Sequence, residues 1–298
     1  EKRLSLTVLT LAWPVVLLEA TWTIFAMVTM FFIGRLGAAA ITAVGLSETV
    51  VYLPAILVDG LAIGVTAIVA RHVGAREPQQ ANIIVRQSML MVFILGILFA
   101  IVLWFLPDQL LWIFRARPDV IELGRDYIRV NAPATIFAFI LYNSTAILRA
   151  LGDTRTPMVV MIIVEALGVS LGYVLITGFG IAPALGVLGA GISRAVASIV
   201  GALIILPILI KGKGLVKYDL RTAWHFDWAE TKRILNVGLP ALGDQLAMQG
   251  AMNIYTIVIS SLGTAIYAAH ALSMRGGMFA FAPSWGFGMA ATGIVGET

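Results

Sequence analysis

The chain has 298 residues, of which 60% are hydrophobic and only 12% are charged, with a formal net charge of +4. Soluble domains are roughly 45–50% apolar and about 25% charged. A water-soluble protein of this length could not bury so much apolar surface, so the sequence predicts a protein embedded in a lipid bilayer. It contains no cysteine, which excludes disulfide bonds and thiolate metal sites in this chain.

The apolar residues fall into stretches that are long enough to cross a membrane. A helix that spans a bilayer needs about 20 mainly apolar residues. The predicted spans are residues 6–33, 46–70, 83–106, 127–148, 157–179, 184–210, 234–260 and 265–295. The strands of membrane barrels are about ten residues long and alternate in polarity, so the pattern instead predicts an all-α polytopic membrane protein.

Basic residues fix the orientation of these spans. With the N-terminus in the cytoplasm, thirteen lysines and arginines fall in cytoplasmic segments and five in outer segments. Cytoplasmic loops of membrane proteins carry such an excess. The positive charge therefore marks the cytoplasmic face and does not indicate nucleic-acid binding. We expect a multi-pass protein of a bacterial or archaeal plasma membrane.

The chain contains an internal repeat. A shift of 226 residues aligns 12–70 with 238–296 without a gap, and it pairs Pro14 with Pro240, Leu36-Gly37 with Leu262-Gly263 and Leu46-Ser47 with Leu272-Ser273. Spans one and two thus recur as spans seven and eight, which predicts a parallel repeat of six helices with substrate bound between the halves. The predicted organisation is a six-helix lobe over 1–210, a cytoplasmic linker over 211–233, and the first two helices of a second lobe over 234–298.

Several short motifs lie in or beside these spans. They read LAWP at 11–14, GRLG at 34–37, ARHVGA at 70–75, LRALGDTRTPM at 148–158, GLPA at 238–241 and AAH at 268–270. Together they resemble the multidrug and toxic compound extrusion (MATE) family. The resemblance implies twelve helices in two lobes, of which this chain would hold eight. It also implies a monomeric exporter that exchanges protons or sodium for small amphipathic, often cationic, compounds and needs no other cofactor.

The chain departs from the family pattern at its acidic ion site. Where the family has an aspartate late in span one, this chain has Thr29, and where span five has an asparagine and an aspartate, it has Gly168 and Gly172. Either other carboxylates couple transport to the ion, or this lobe has lost that role.

Four carboxylates are predicted inside the spans, where an ionisable group indicates function: Glu19, Asp59, Glu165 and Asp244. Glu165 shares a helix face with Gly168 and Gly172 through its i, i+3, i+7 spacing. Glu19 and Glu165 are also expected at similar depth. We therefore predict that Glu19 and Glu165 couple the ion, with Asp59 as a third member. The alternative is that Glu165 pairs with Arg194, and Asp244 with Arg275, as fixed ion pairs.

A substrate site is predicted in the second lobe. The repeat alignment places Gln245 opposite Glu19, so Asp244 and Gln245 occupy the equivalent position. Aromatic and methionine side chains suit an adaptable apolar cavity, and the candidates are Tyr173, Met248 and Tyr255. The alternative for each of these three is packing or lipid contact.

The loop over 152–157 is interpreted as structural or as part of a cytoplasmic gate. It lacks the Gly-Lys-Ser/Thr of a phosphate-binding loop and follows no strand. Asp153 and Thr154 are predicted to cap the fifth span, with Pro157 in its first turn. Gly152 and Arg155 complete this loop.

Two other functional classes fit the sequence less well. An enzyme is disfavoured because the three histidines are isolated and form no His-Glu-x-x-His pair. A lipid-linked precursor flippase of similar fold would need cationic residues along its cavity to hold pyrophosphate. Only Arg194 and Arg275 lie inside the spans, against four carboxylates, which favours the export of cations.

Overall fold

The computed structural model describes Leu17, Thr21 and residues 23–179, 183–212 and 226–261, except for the side chains of 249, 252, 253, 256, 257 and 259–261. In these residues the regular structure is entirely α-helical. The helices are α1 (Thr23–Gly34), α2 (Ala38–Tyr52), α3 (Ala55–Gly74), α4 (Pro78–Phe105), α5 (Pro107–Ile113), α6 (Pro118–Ala150), α7 (Arg155–Thr177), α8 (Gly186–Lys211) and α9 (Trp228–Ser261).

Five segments of the described chain are long and apolar enough to cross a membrane: Ala38–Gly74, which joins α2 and α3, and the helices α4, α6, α7 and α8. They correspond to the predicted second to sixth spans. The first span is described mainly from Thr23, and the predicted eighth span, 265–295, lies outside the described residues. Helix α9 covers the predicted seventh span but is not among the five; Asp244 and Gln245 are among the polar residues that make it less apolar.

The second span begins earlier than predicted. Gly37 adopts a φ of 101°, a left-handed conformation that favours glycine, and α2 starts directly after it at Ala38. The expected start at residue 46 is therefore wrong. The span is interrupted at Leu53 and Pro54, because a proline has no N–H to donate to the preceding turn. This interruption separates α2 from α3.

Helix starts follow the local chemistry of the sequence. Helices α4, α5 and α6 each carry a proline in the first turn, namely Pro78, Pro107 and Pro118. A proline there loses no hydrogen bond and already has a helical φ. Helix α9 begins at Trp228, so the last part of the predicted linker 211–233 is helical.

Helix α6 is the centre of the lobe. It packs against α8, α4, α2 and α3, and its mean hydropathy of 1.2 is the lowest of the five spans while its buried share of 61% is the highest. Helix α7 shows the opposite combination, because its mean hydropathy is 2.4 and only 22% of it is buried. A helix enclosed by other helices can carry polar side chains that bond within the bundle, whereas a peripheral helix must present apolar ones to lipid.

Buried polar side chains join α6 to its neighbours. The Asn131 side-chain amide donates to the carbonyl of Gly191 on α8 at 3.2 Å. The Asn143 amide donates to the Ser88 hydroxyl on α4 at 3.1 Å. Hydrogen bonds of this kind hold membrane helices together where lipid tails compete equally well for apolar contacts.

Candidate functional site

A small cavity lies beside the interruption between α2 and α3. Its volume is about 30 Å³, which is enough for a water-sized occupant. Helices α2, α3, α6 and α8 enclose it. Its polar lining consists of Tyr52, Asn131, Thr135, Tyr142, Arg194 and Ser198. The interruption in the span therefore opens a polar space inside an otherwise apolar lobe.

Arg194 carries the positive charge at this cavity, and its direct partner is Glu48. The guanidinium of Arg194 lies 3.6 Å from the carboxylate of Glu48, and both side chains are about 40% exposed. The direct Glu165–Arg194 pair, which the sequence left open as an alternative, is not formed at contact distance. Glu165 nevertheless lies close enough to Arg194 to interact electrostatically.

Glu48 is not among the residues predicted from the sequence, because a second span that begins at residue 46 has Glu48 at its outer end, within reach of water. Because α2 begins at Ala38, Glu48 instead lies about 15 Å along the helix from its first residue. The apolar run after the Gly37 turn is the signal that would have placed it correctly.

Asp59 lies on α3, on the far side of the interruption, and is half-buried. Tyr52 lines the cavity, and its hydroxyl donates to the Asp59 carboxylate at 3.5 Å. The predicted coupling residue Asp59 is thus connected to the cavity through one tyrosine. The predicted coupling residue Glu19 lies outside the described residues.

Gly168 and Gly172 of α7, which stand where the family pattern has polar residues, face helix α8 at ordinary contact distances. A Cβ added at Gly172 would meet the Ser193 hydroxyl at 3.4 Å, and one added at Gly168 would meet the Ala197 side chain at 3.6 Å. Helix α8 therefore fills the space in front of these two positions. The charged group that α8 brings to this region is Arg194.

The predicted substrate residues fall into two groups. Asp244, Met248 and Tyr255 are exposed on α9 and Gln245 is half-buried there. Tyr173 lies on α7, where its ring packs 5.2 Å from that of Phe32 and 5.4 Å from that of Phe179. The main neighbours of α9 are α3 and α4, whereas α7 packs mainly on α8. The structure thus does not gather these five side chains into one site.

Helix α9 meets the first lobe through glycines. A Cβ at Gly64 of α3 would lie 2.9 Å from the Ile234 carbonyl oxygen and 3.0 Å from the Gly238 nitrogen. The α3 and α9 backbones therefore touch directly. This contact joins the six-helix lobe to the first helix of the predicted second lobe.

The loop before α7 forms a helix start. The Asp153 carboxylate accepts a hydrogen bond from the Thr156 N–H at 3.0 Å, so the capping predicted for Asp153 is confirmed. Thr154 occupies the N-cap position but makes no side-chain capping bond, so that part of the prediction is wrong. Gly152 adopts a φ of 78°, Pro157 is buried in the first turn of α7, and Arg155 is exposed.

No group of three or more histidine, aspartate or glutamate residues is arranged to hold a metal ion in the part of the chain that the structure describes. We call the set formed by Glu48, Arg194 and Glu165 the charged centre of the lobe, and Asp59 is joined to it through Tyr52. These carboxylates can bind protons or cations, and the guanidinium can compensate them.

Comparison with known protein families shows to which family the chain belongs. A family model described as MatE matches residues 14–174, which is more than half of the chain. The chain belongs to the MATE family. The five apolar spans and this membership make it a multi-pass protein of the inner membrane.

Relatives of the MATE chain include several that are named for drug resistance. This chain is 27% identical over 277 residues to a probable multidrug resistance protein NorM of Thermotoga maritima, and the match covers 92% of this chain and 59% of that protein. It is 25% identical over 295 residues to the multidrug resistance protein PmpM of Pseudomonas aeruginosa, covering 97% and 61%. The chain thus spans about 60% of the length of these two curated relatives.

Solved structures share the fold. An outward-facing multidrug resistance MATE transporter of the MOP superfamily matches with a TM-score of 0.86 and 26% identity, covering 98% of this chain and 64% of that one. A MOP superfamily transporter from Pyrococcus furiosus matches with a TM-score of 0.87 and 26% identity over the same shares; it is described as having a binding pocket of reverse polarity that suggests a different function.

Proposed function

We propose that the complete protein exports amphipathic cationic compounds in exchange for protons or sodium ions by alternating access between two lobes. The observation that carries this proposal is the charged centre inside a MATE lobe. Carboxylates within membrane helices are costly and are kept where they bind ions or protons. Two relatives, a probable multidrug resistance protein NorM and the multidrug resistance protein PmpM, are named for drug resistance, which supports the export of drugs.

Within this proposal, Glu165 and Asp59 take part in ion coupling together with Glu19. Their support is position: Glu165 lies within electrostatic range of Arg194, and Asp59 accepts the hydrogen bond of Tyr52 beside the cavity. A carboxylate that can change its charge at this place can exchange a cation between the two sides of the membrane. The conformational change would then follow from the change in charge.

Substrate binding is proposed for the face of α9. Asp244 and Met248 are four residues apart and share a helix face, and both are exposed on the helix that begins the second lobe. A carboxylate beside a methionine suits an amphipathic cation, because the first attracts the charge and the second adapts to varied apolar shapes. Gln245, Tyr255 and Tyr173 are further candidates whose role the same transport assay would test.

The experiment is efflux of a fluorescent organic cation from proteoliposomes that contain the protein expressed from its complete gene. A proton gradient and a sodium gradient are imposed separately. We expect efflux with at least one of them, and we expect Glu165→Gln and Glu19→Gln to reduce it. Glu122→Gln is the matched control, because Glu122 is exposed at the outer end of α6.

Two results would contradict the proposal. Efflux that ignores both gradients would exclude ion exchange. Undiminished efflux in both Glu19→Gln and Glu165→Gln would exclude these carboxylates as the coupling residues. Transport of a lipid-linked pyrophosphate in place of the organic cation would instead indicate the flippase function.

A further inference from the structure

The charged centre of the lobe contains two carboxylates and one guanidinium on three different helices. Glu48 lies on α2, Glu165 on α7 and Arg194 on α8, and Arg194 interacts electrostatically with both carboxylates. Its direct contact, at 3.6 Å, is with Glu48. An arginine stays charged under all conditions relevant to proteins. One guanidinium compensates one carboxylate, so the group carries one negative charge in excess when both carboxylates are ionised.

Glu165 is the carboxylate left over in this balance. Within the described parts of the chain it makes no hydrogen bond and no ion pair within contact distance, although it is half-buried in a membrane-spanning helix. A carboxylate in this position is costly unless it is paired or takes up a proton. Protonation needs a single oxygen atom, whereas a sodium ion needs several oxygen ligands around it.

One cation, Arg194, faces both Glu48 and Glu165. From α6, Tyr127 and Tyr142 face the same charges, and both are neutral hydroxyl groups that donate or accept hydrogen bonds. From α3, Asp59 accepts the hydrogen bond of Tyr52, and the cation that faces it is a different one, Arg149 at the end of α6. Within the described residues, Arg194 is therefore the cation common to Glu48 and Glu165.

A guanidinium in this position also opposes a bound metal cation. At an effective dielectric constant of about 20, a sodium ion bound about 5 Å from a guanidinium would bind more than about 100-fold more weakly because of the repulsion between the two charges. A proton on Glu165 avoids this repulsion, because it neutralises a charge without adding a separate cation.

We propose that Arg194 is a tethered cation that takes the place of a metal ion in this lobe, so that Glu48 and Glu165 share it and the site exchanges one proton through Glu165. This inference rests on the ion exchange proposed above and assigns its ion. When Glu165 is protonated, Arg194 pairs with Glu48 alone, as in the structure. When Glu165 loses its proton, it competes for Arg194, and the competition draws α7 and α2 toward the same side chain on α8.

The first test asks whether sodium binds to this site, and it does not depend on transport. The protein expressed from its complete gene is purified in detergent, and its thermal unfolding is measured in sodium chloride and in choline chloride at equal ionic strength. A ligand that binds the folded state raises the melting temperature. We expect the wild type and Glu165→Gln to show the same sodium effect, since any sodium bound elsewhere is unaffected by that change.

The arginine variants give the test a second arm. Arg194→Gln removes the tethered cation, so we expect it to gain a sodium-specific rise in melting temperature that Arg194→Lys does not show. If Arg194→Gln fails to fold, the comparison of wild type with Glu165→Gln decides alone. A sodium-specific stabilisation that is present in the wild type and lost in Glu165→Gln would overturn the proposal.

The second test follows the proton. In Glu48→Gln the guanidinium is free to pair with Glu165, so Glu165 keeps its charge at lower pH. We expect the pH profile of efflux to move toward acid by about one unit, which corresponds to a roughly tenfold change in proton binding. Glu122→Gln should leave the profile in place. A profile unchanged in Glu48→Gln would show that the Glu48–Arg194 pair is only structural and would overturn the proposal.

These outcomes also separate this inference from the proposed function. If the wild type exports nothing under either gradient, the export function fails, while the melting comparison still decides whether sodium binds beside Arg194. If efflux follows a sodium gradient and the sodium effect depends on Glu165, export stands and the tethered-cation inference fails.

Discussion

Replacing Gly64 with alanine tests the contact between α3 and α9. The added Cβ would lie 2.9 Å from the Ile234 carbonyl oxygen, 3.0 Å from the Gly238 nitrogen and 3.2 Å from the Gly238 Cα. All three are backbone atoms, which cannot rotate away as a side chain can. Restoring ordinary contact distances requires the two helices to separate by about 0.5 Å, and overpacking of this kind costs about 1–3 kcal/mol.

This cost falls only on the conformation in which α3 and α9 are packed together. Since about 1.4 kcal/mol is a factor of ten in an equilibrium constant, we expect Gly64→Ala to reduce the ratio of packed to separated forms by roughly 5- to 150-fold. Gly243→Ala is the matched control on α9, because nothing lies within 4 Å of its added Cβ. That change should be neutral or slightly stabilising, since alanine favours a helix over glycine.

The assay is a distance measurement between spin labels on the two helices. These 298 residues contain no cysteine, so, with any cysteine elsewhere in the complete protein replaced by serine, labels can be attached to cysteines introduced at the exposed positions Arg71 and Lys232. Pulsed electron resonance then gives the distribution of distances in the complete protein. We expect the short-distance population to fall in Gly64→Ala and to persist in Gly243→Ala. Unchanged distances together with an unchanged melting temperature in Gly64→Ala would refute the direct backbone contact.

Three further substitutions test single contacts through the melting temperature. Asn131→Leu removes the hydrogen bond that joins α6 to the Gly191 carbonyl, while that carbonyl keeps its partner within α8. We therefore expect a loss of about 1 kcal/mol in the free energy of unfolding, and an unchanged melting temperature would contradict this expectation. Ser88→Ala removes the acceptor of the Asn143 amide and should cost about 1 kcal/mol, and no loss would show that this bond contributes nothing. Asp153→Ala removes the cap of α7 and should lower the free energy of unfolding by about 1 kcal/mol. Asp153→Asn keeps an acceptor and should lower it by less. Equal losses of stability in the two variants would argue against capping.

The sequence by itself determined the solvent and the second to sixth spans. Runs of about 20 apolar residues can satisfy their backbone hydrogen bonds in lipid only as helices, so these spans follow from composition and length. The short motifs, above all the one at 148–158, indicated the family, whose model covers residues 14–174. The cap formed by Asp153 was also predictable, because it depends on residues three apart in the chain.

The tertiary structure decided which charges meet. Glu48, Glu165 and Arg194 lie far apart in sequence, and several pairings were consistent with their positions along the spans. Helix α2 begins at Ala38, so Glu48 lies well along the span, where it meets Arg194, and α8 packs against α7 in front of Gly168 and Gly172. Which carboxylate contacts the guanidinium depends on the depth and rotation of three packed helices. Those are set by the contacts between helices and not by the apolarity of any one of them.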